Sequence, residues 1–459
     1  MVKNSHNIGG VISETDRKAK RTKADILAQI DEAGVHFVRI FFTDILGRLK
    51  GMTMTRSEIE DVLDQGQGFD GSSIEGFVRI EESDLMAIPD FRTFRILPWD
   101  VGGEKVAMMI ADIQMPDGSP YEGDPRYVLR RTLKKIEAKG WTAYLGPEIE
   151  YFYFADEHSP KALDSDGYFD FGADDQGIRM RKKTVKALEA MGIPVECSHH
   201  EVAPSQHEID LKYQEAFVMS DFAQLYKYIV KEIARQGDSY ATFMPKPMFG
   251  MNGSGMHVHM SLFEGDRNLF YKKEDKYHLS EMAHHFIAGL LKHIKAMTLV
   301  TNQWVNSYKR LVPGYEAPVY VSWGRRNRSS LVRVPMYRVG KEKATRVELR
   351  SPDPACNPYL AFALMIEAGL DGIENKLPLA DAIEDNIYDM SSEERRSRDI
   401  DAIPGSLESA IVAFENSDFC RRVLGDHVFN KLIENKRLEW DEYRMHVSDF
   451  ENDKYLKML

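Results

Sequence analysis

Gly146-Pro147-Glu148-Ile149-Glu150-Tyr151 puts two glutamates on the same side of a predicted strand, Trp141–Phe154. Side chains alternate along a strand, so Glu148 and Glu150 face one way while Ile149 and Tyr151 face the other. Strands disfavour Glu, and a strand with one wet face would account for this pair taken alone. The pattern recurs, however. Met256–Leu262 sets His257, His259 and Ser261 opposite Met256, Val258, Met260 and Leu262. Arg346, Glu348 and Arg350 stand opposite Val347 and Leu349, and Glu208 and Asp210 stand opposite Ile209 and Leu211. Each segment has an apolar back and a chemically potent front, which predicts one sheet whose polar face floors an active site.

Carboxylates gathered on that face would repel one another. Two unit charges about 4 Å apart do so by roughly 4 kcal/mol at an effective dielectric near 20. Divalent cations would remove the repulsion, and the candidate ligands are Glu148, Glu150, Glu201, Glu208, Glu348 and His257. This set is mostly hard oxygen with one imidazole and no thiolate, which suits Mg²⁺ or Mn²⁺ better than structural zinc. A pair of such ions is a common clamp for phosphoryl chemistry.

The 459 residues allow about two or three domains, and 43% hydrophobic with 29% charged residues is the balance of a soluble globular protein. A formal net charge of −12 argues against a general nucleic-acid binder. Cys197, Cys356 and Cys420 are widely separated. Neither a disulfide framework nor a thiolate zinc site is expected, and a reducing cytoplasm fits. Residues 1–23 are polar, carry Lys3, Arg17, Lys18, Lys20, Arg21 and Lys23, and lack a signal-peptide core. They are expected to form a mobile extension. Apolar runs such as Ala361–Leu370 are too short to span a bilayer, so no membrane partner is expected.

In chain order, Ala24–Ala33 reads as a helix, Val35–Phe42 and Arg48–Met54 as strands, and Ser57–Gln65 as a helix capped by Ser57. Gly66–Ser73 is too glycine-rich for a regular element, and its Asp70 and two Ser make it a site candidate. Strands near Arg95–Leu97 and Lys105–Ile113 complete a small α+β unit spanning 24–118. The Gly/Pro/Asp cluster Asp117–Pro125 marks the break, after which a second unit, 124–459, opens with a helix capped by Asp124. Three His near two Glu in Cys197–Glu208 suggest a metalloprotease, but no H-E-x-x-H helix is present and Pro204 would break one. His199, His200 and His207 are therefore assigned structural roles, or roles supporting the ligands, in preference to direct ligation. Asp389–Ser406 reads as irregular.

Nine Lys or Arg between Arg325 and Arg350 stand against Glu342 and Glu348. In an acidic protein this segment is either a solvated face or a grip on a polyanionic substrate, since Arg forks match phosphate and carboxylate oxygens. Upstream, Glu316 sits in a proline-bracketed loop, Asn306–Pro318, placed to swing over a site.

Seven motifs then stand in one order: FDGSSIEGF (Phe69–Phe77), GPEIEYF (Gly146–Phe152), HHEVAPSQHEID (His199–Asp210), NGSGMHVHMSL (Asn252–Leu262), KRLVPGYEAP (Lys309–Pro318), RNRSSLVRVP (326–335) and RVELRSPDPACNPY (Arg346–Tyr359). Together they closely resemble type I glutamine synthetase, from about residue 24 onward. The resemblance implies an α+β architecture, with a β-grasp-like N-terminal domain and a larger catalytic α/β domain whose curved antiparallel sheet floors the active site. It also implies a homo-dodecamer with active sites between subunits, acting on L-glutamate, ammonia and ATP. One metal ion would be held by Glu150, Glu201 and Glu208, the other by Glu148, His257 and Glu348. Arg310, Arg350, Asn252, Gly253 and Ser73 would bind glutamate. Arg328, Arg333, Arg346 and His259 would face the phosphates, with Tyr213, Ser261 and Lys343 lining the nucleotide pocket. Asp70 would take the ammonium proton and Glu316 would close over the γ-glutamyl phosphate.

Ser205 stands where the family pattern has Gly, and Leu211-Lys212 where an aromatic or small residue is common. The loop after Phe154 lacks the insertion of the type regulated by adenylylation, so the chain resembles the short type. Arg79 then matches the feedback-inhibition arginine, regulatory protein partners are possible, and Tyr388 is expected to be an unmodified surface residue. The competing readings are a ligase joining glutamate to a polyamine or other amine, a catalytically silent oligomer, and a metallohydrolase. An intact DGSS loop favours ammonia over bulkier amines.

Overall fold

A computed structural model describes residues 21–72, 74, 84–172, 176–325, 327–338 and 340–459. Ser73, Arg79, Arg326 and most of the N-terminal extension lie outside the described residues. The chain enters through α1 (Lys23–Ala33), whose Thr22 and Asp25 form a capping box. β1 (Phe37–Thr43), β2 (Leu49–Thr55), α2 (Ile59–Gln65), β3 (Gln67–Asp70), β4 (Asp84–Pro89), β5 (Arg95–Ile96) and β6 (Val106–Gln114) follow. The strands pair in the order β2-β1-β6-β4-β3, with β5 on β6. β1 and β6 run parallel at the centre. Val106, Met108 and Ile110 of β6 enter one core, and Ala107, Met109, Ala111 and Ile113 enter another. Burial on both faces explains why this strand is apolar at nearly every position.

The larger part comprises α3 (Pro125–Glu137), β7 (Thr142–Phe154), α4 (Gln176–Ala190), β8 (Val195–His200), β9 (Gln206–Leu211), β10 (Gln214–Glu215) and α5 (Ala216–Gln236). It continues through β11 (Tyr240–Thr242), β12 (Met256–Glu264), β13 (Arg267–Asn268), α6 (Glu281–Thr301), α7 (Ser307–Arg310), β14 (Tyr320–Gly324), β15 (Ser330–Arg333), β16 (Val347–Leu349) and α8 (Pro358–Glu374). The sheet order is β14-β15-β16-β12-β7-β9-β8. Its apolar back packs into a core with α5, α6 and α8. α8 is buried almost throughout, as a helix apolar on every side must be. The architecture is α+β.

Arg126, fully buried at the start of α3, ties the small sheet to α5. It donates to Asp221 of α5 at 2.9 and 3.1 Å, to Asp112 of β6 at 2.5 Å and to Asp90 at 3.2 Å. Nearby, Asn357 and Gln303 donate to the carbonyls of Asp44, Ile45 and Leu46 in the β1–β2 turn.

Some local expectations are corrected. Ser57 is no helix cap: its hydroxyl meets Thr55 Oγ1 at 2.9 Å, and α2 begins after Glu58 with no side-chain cap. The glycine-rich stretch expected as a loop forms β3, because Gln67–Asp70 pairs antiparallel with β4. Asp389–Ser406 contains a helix at Ser392–Ser397, secured by a Ser391–Glu394 capping box.

Candidate active site

The ladder registers decide which side chains meet. His257 lies opposite Glu148 across β12–β7, His259 opposite Glu348 across β12–β16, and Glu150 opposite Glu208 across β7–β9. Cross-strand neighbours on one face sit within side-chain reach. Glu148, His257 and Glu348 consequently converge, and so do His199, Glu201 and Glu208. Glu348 is fully buried, Glu208 nearly so.

The sequence expectation and the geometry differ at Glu150. Its Oε2 accepts from Gly255 N (2.8 Å) and Gln206 Nε2 (2.9 Å), while Oε1 lies 3.8 Å from His257 Nε2. It thus stands between the two triads. His199, expected in a structural or ligand-supporting role, lies 3.4 Å from Glu201 and 3.9 Å from Glu208. Gln206 was missed, although it shares strand parity with Glu208 and Asp210.

Electrostatics separates the two halves. Burial works against ionising Glu148, but the hydrogen bond from His259 (2.7 Å) and the charges of His259 and His257 bring its pKa down to about 2. Burial is likewise overcome at Glu348, where His257, His259 and Arg333 hold the carboxyl well below the usual range. Across the floor the balance reverses. Burial, then the Glu201 charge, pushes Glu150 up to about 8. Burial and then Asp210 raise Glu208, and burial raises Glu201. Burial, then Arg350, lowers His257 and favours the neutral imidazole that a metal requires.

These residues fit a divalent cation. Glu348 Oε1 is buried 3.2 Å from both His257 Nδ1 and Arg350 Nε, yet it receives no well-directed hydrogen bond. Such an orphaned buried acceptor is expensive without a partner. The donors are hard oxygens plus imidazole, as Mg²⁺ or Mn²⁺ prefer.

A third cluster, Asp164, His200 and His207, does not fit. Arg181 donates to His207 Nδ1 at 2.8 Å, which leaves the proton on Nε2, facing Asp164 at 3.9 Å. A protonated nitrogen is no metal ligand. Asp164 instead accepts from Ser205 N (2.6 Å), while Ser205 Oγ accepts from Leu163 N (2.6 Å). Those bonds offset the left-handed φ of 60° that would otherwise favour Gly at Ser205.

The remaining candidates ring the floor. Arg333 pairs with Glu348, and Arg346 Nε donates to His259 Nδ1 at 3.2 Å. Buried Arg310 is held by the carbonyls of Ser351 (2.7 Å) and Pro352 (3.1 Å). A pocket beside it is lined by Glu150, Asn252, Gly253, His257, Glu316 and Arg350. A Cβ on Gly253 would meet Pro245 O at 2.2 Å, so only glycine lets the backbone approach here. Ser261 shares the front of β12 with both His, Tyr213 packs edge-on against Tyr144, and Lys343 stands 3.5 Å from Asp266. Asp70 ends β3 of the small sheet and accepts from Ser72 N (2.8 Å); among the described residues no hydrogen bond joins it to the carboxylate floor. Tyr388 is not a plain surface residue, since it is half-buried and its hydroxyl donates to Ala317 O at 2.7 Å.

A small mixed sheet beside a larger sheet floored with carboxylates and ringed by arginines fits an enzyme that pairs divalent cations with an anionic substrate. Comparison with known proteins agrees. Residues 34–116 match the glutamine synthetase β-grasp domain, and residues 122–455 match the glutamine synthetase catalytic domain. A glutamine synthetase from Staphylococcus aureus is 49% identical over 95% of this chain and 98% of its own. One from Mycobacterium tuberculosis is 49% identical over 95% and 100%. Among solved structures, a GmaS–ADP complex superposes with TM-score 0.85 at 30% identity, covering 94% of this chain and 99% of that one. A Plasmodium falciparum glutamine synthetase gives 0.84 at 27% identity, covering 95% and 98%. The chain belongs to the glutamine synthetase family and is a ligase.

Proposed function

We propose that this ligase joins ammonia to the γ-carboxylate of L-glutamate, with ATP first converting that carboxylate to γ-glutamyl phosphate, and releases L-glutamine, ADP and phosphate. One observation carries the reading: both triads converge on one sheet face beside Arg310, Arg333 and Arg350, in a chain 49% identical to glutamine synthetases. Mg²⁺ or Mn²⁺ would be held by Glu148, His257 and Glu348 and by Glu201 and Glu208 with Glu150 or His199, supplying charge neutralisation to the phosphates.

The chain's own groups do the rest. Arg310 and Arg350, both lining the pocket with Asn252 and Gly253, bind the glutamate carboxylates, and Ser73, outside the described residues, is assigned to glutamate binding from the family resemblance alone. Arg328, Arg333, Arg346 and His259 orient the phosphates, while Tyr213, Ser261 and Lys343 flank the nucleotide. Ammonium is not a nucleophile until it loses a proton. Asp70 is the base, its carboxyl kept below the usual range by hydrogen bonds from Ser72. In keeping with the family resemblance, Asp70 is assigned to a neighbouring subunit's site in a dodecamer. Glu316 closes over the acyl phosphate and excludes water. Arg79 mediates glutamine feedback, and the enzyme works in the cytoplasm.

The second reading, a ligase for another amine, draws on the likeness to GmaS, a γ-glutamylmethylamide synthetase. The test is glutamate-dependent ADP formation by the pure protein with ammonia, methylamine or putrescine. Ammonia should support turnover far better than either amine; a preference for methylamine or putrescine would overturn the first reading.

A further inference from the structure

The segment Ile383–Asp389 touches both the loop that carries Glu316 and the turn that carries Arg328. At one end, Asn327 Nδ2 donates to Ile383 O at 3.0 Å and also reaches Asp385 O, and Ile387 N donates to Ser329 Oγ at 3.1 Å. Arg328 thus projects from a turn stapled to this segment by the residues on either side of it. At the other end, the Tyr388 hydroxyl donates to Ala317 O at 2.7 Å, directly after Glu316. Ile387 is fully buried, and Asn386 caps the short 3₁₀ turn Ile387–Asp389 by accepting from Tyr388 N. The segment is therefore a stiff platform.

The loop it holds carries Glu316 between two such attachments. Glu316 is exposed and takes a left-handed φ of 57°, a conformation that a non-glycine residue keeps only under outside constraint. On the far flank, Lys246 Nζ stands 3.8 Å over the Tyr315 ring, and Lys246 is pinned by Asn306 through bonds of 2.7 and 3.0 Å. Glu316 ends 3.8 Å from Arg328.

We propose that Tyr388 is a positioning residue. Its hydroxyl anchors the Glu316 loop to the platform that carries Arg328, and so sets the register between the closing carboxylate and the phosphate-facing guanidinium. This inference rests on the reading of Glu316 as the group that shields the acyl phosphate. Losing the anchor lets the loop dwell open, so water competes with ammonia.

The experiment compares wild type, Tyr388→Phe, Glu316→Ala and the double variant. Two rates are measured: glutamate-dependent phosphate release without ammonia, and glutamine formation with it. Tyr388→Phe keeps the ring and removes one neutral hydrogen bond, so the ratio of leakage to synthesis should rise about fivefold, with KM for ATP and the melting temperature unchanged. In the Glu316→Ala background the same change should add nothing, because coupled residues are not additive. Normal coupling in Tyr388→Phe while Glu316→Ala leaks overturns the positioning role alone. An equal effect of Tyr388→Phe in both backgrounds does so too. Normal coupling in Glu316→Ala overturns the reading of Glu316 instead.

Discussion

Glu148 and His257 stand directly opposite one another in the β7–β12 ladder, with His257 Nδ1 3.7 Å from Glu148 Oε2. Backbone pairing, not a flexible loop, sets that separation. The same holds for Glu348, paired with His259 and Arg333, and for Glu150, paired with Glu208. A site built on strands holds its ligands rigidly, as a metal centre demands.

Metal binding should therefore raise stability measurably. At one hundred times its Kd, Mn²⁺ adds about 2.7 kcal/mol to the folded state. The melting temperature should climb by several degrees and fall back with a chelator. His257→Ala should lose most of this increment in calorimetry; an unchanged metal-induced shift would remove His257 from the ligand set.

Gly253→Ala should act on glutamate rather than on ATP. The added methyl would collide with Pro245 O and press on Arg310 Cγ at 3.2 Å. KM for glutamate should rise at least about tenfold, equivalent to about 1.4 kcal/mol of binding, with KM for ATP little altered. Steady-state kinetics with each substrate varied decides it.

Arg126→Met should destabilise the whole molecule. It would leave the carboxylates of Asp90, Asp112 and Asp221 without their shared guanidinium, and Asp221 is deeply buried. Breaking one side of such a network costs about 3–5 kcal/mol. Denaturant unfolding should show a loss of this size, and a loss below about 1 kcal/mol would contradict the clamp.

Asp353 supplies a pH signature. It is fully buried, and burial raises its pKa from 3.8 to about 6 despite the Arg310 charge and the Asn302 hydrogen bond. The folded state thus holds this proton more tightly than the unfolded chain. Its contribution is complete below about pH 4 and is lost as pH rises through 6, by about 3 kcal/mol. Comparing wild type with Asp353→Asn between pH 4 and 7 should show this falling component in wild type alone.

Strand alternation was legible at Glu148/Glu150, His257/His259 and Glu348 because the period of two is local covalent geometry. β3 was not legible: a Gly-rich stretch has little intrinsic strand preference, and only pairing with β4 makes Gln67–Asp70 extended. His199 and Tyr388 were likewise opaque, since their partners Glu208 and Ala317 are set by folding rather than spacing.

By itself, the sequence determined the chemistry on offer: hard-oxygen ligands, two histidines and a run of arginines, each on the polar side of a strand with an apolar back. Only the tertiary structure decided which of these groups meet, placing Glu150 between two triads and bringing His199 beside Glu201 and Glu208. The reason is physical. Alternation follows from neighbouring bonds, whereas ladder register between distant strands follows from burying those apolar backs against α5, α6 and α8.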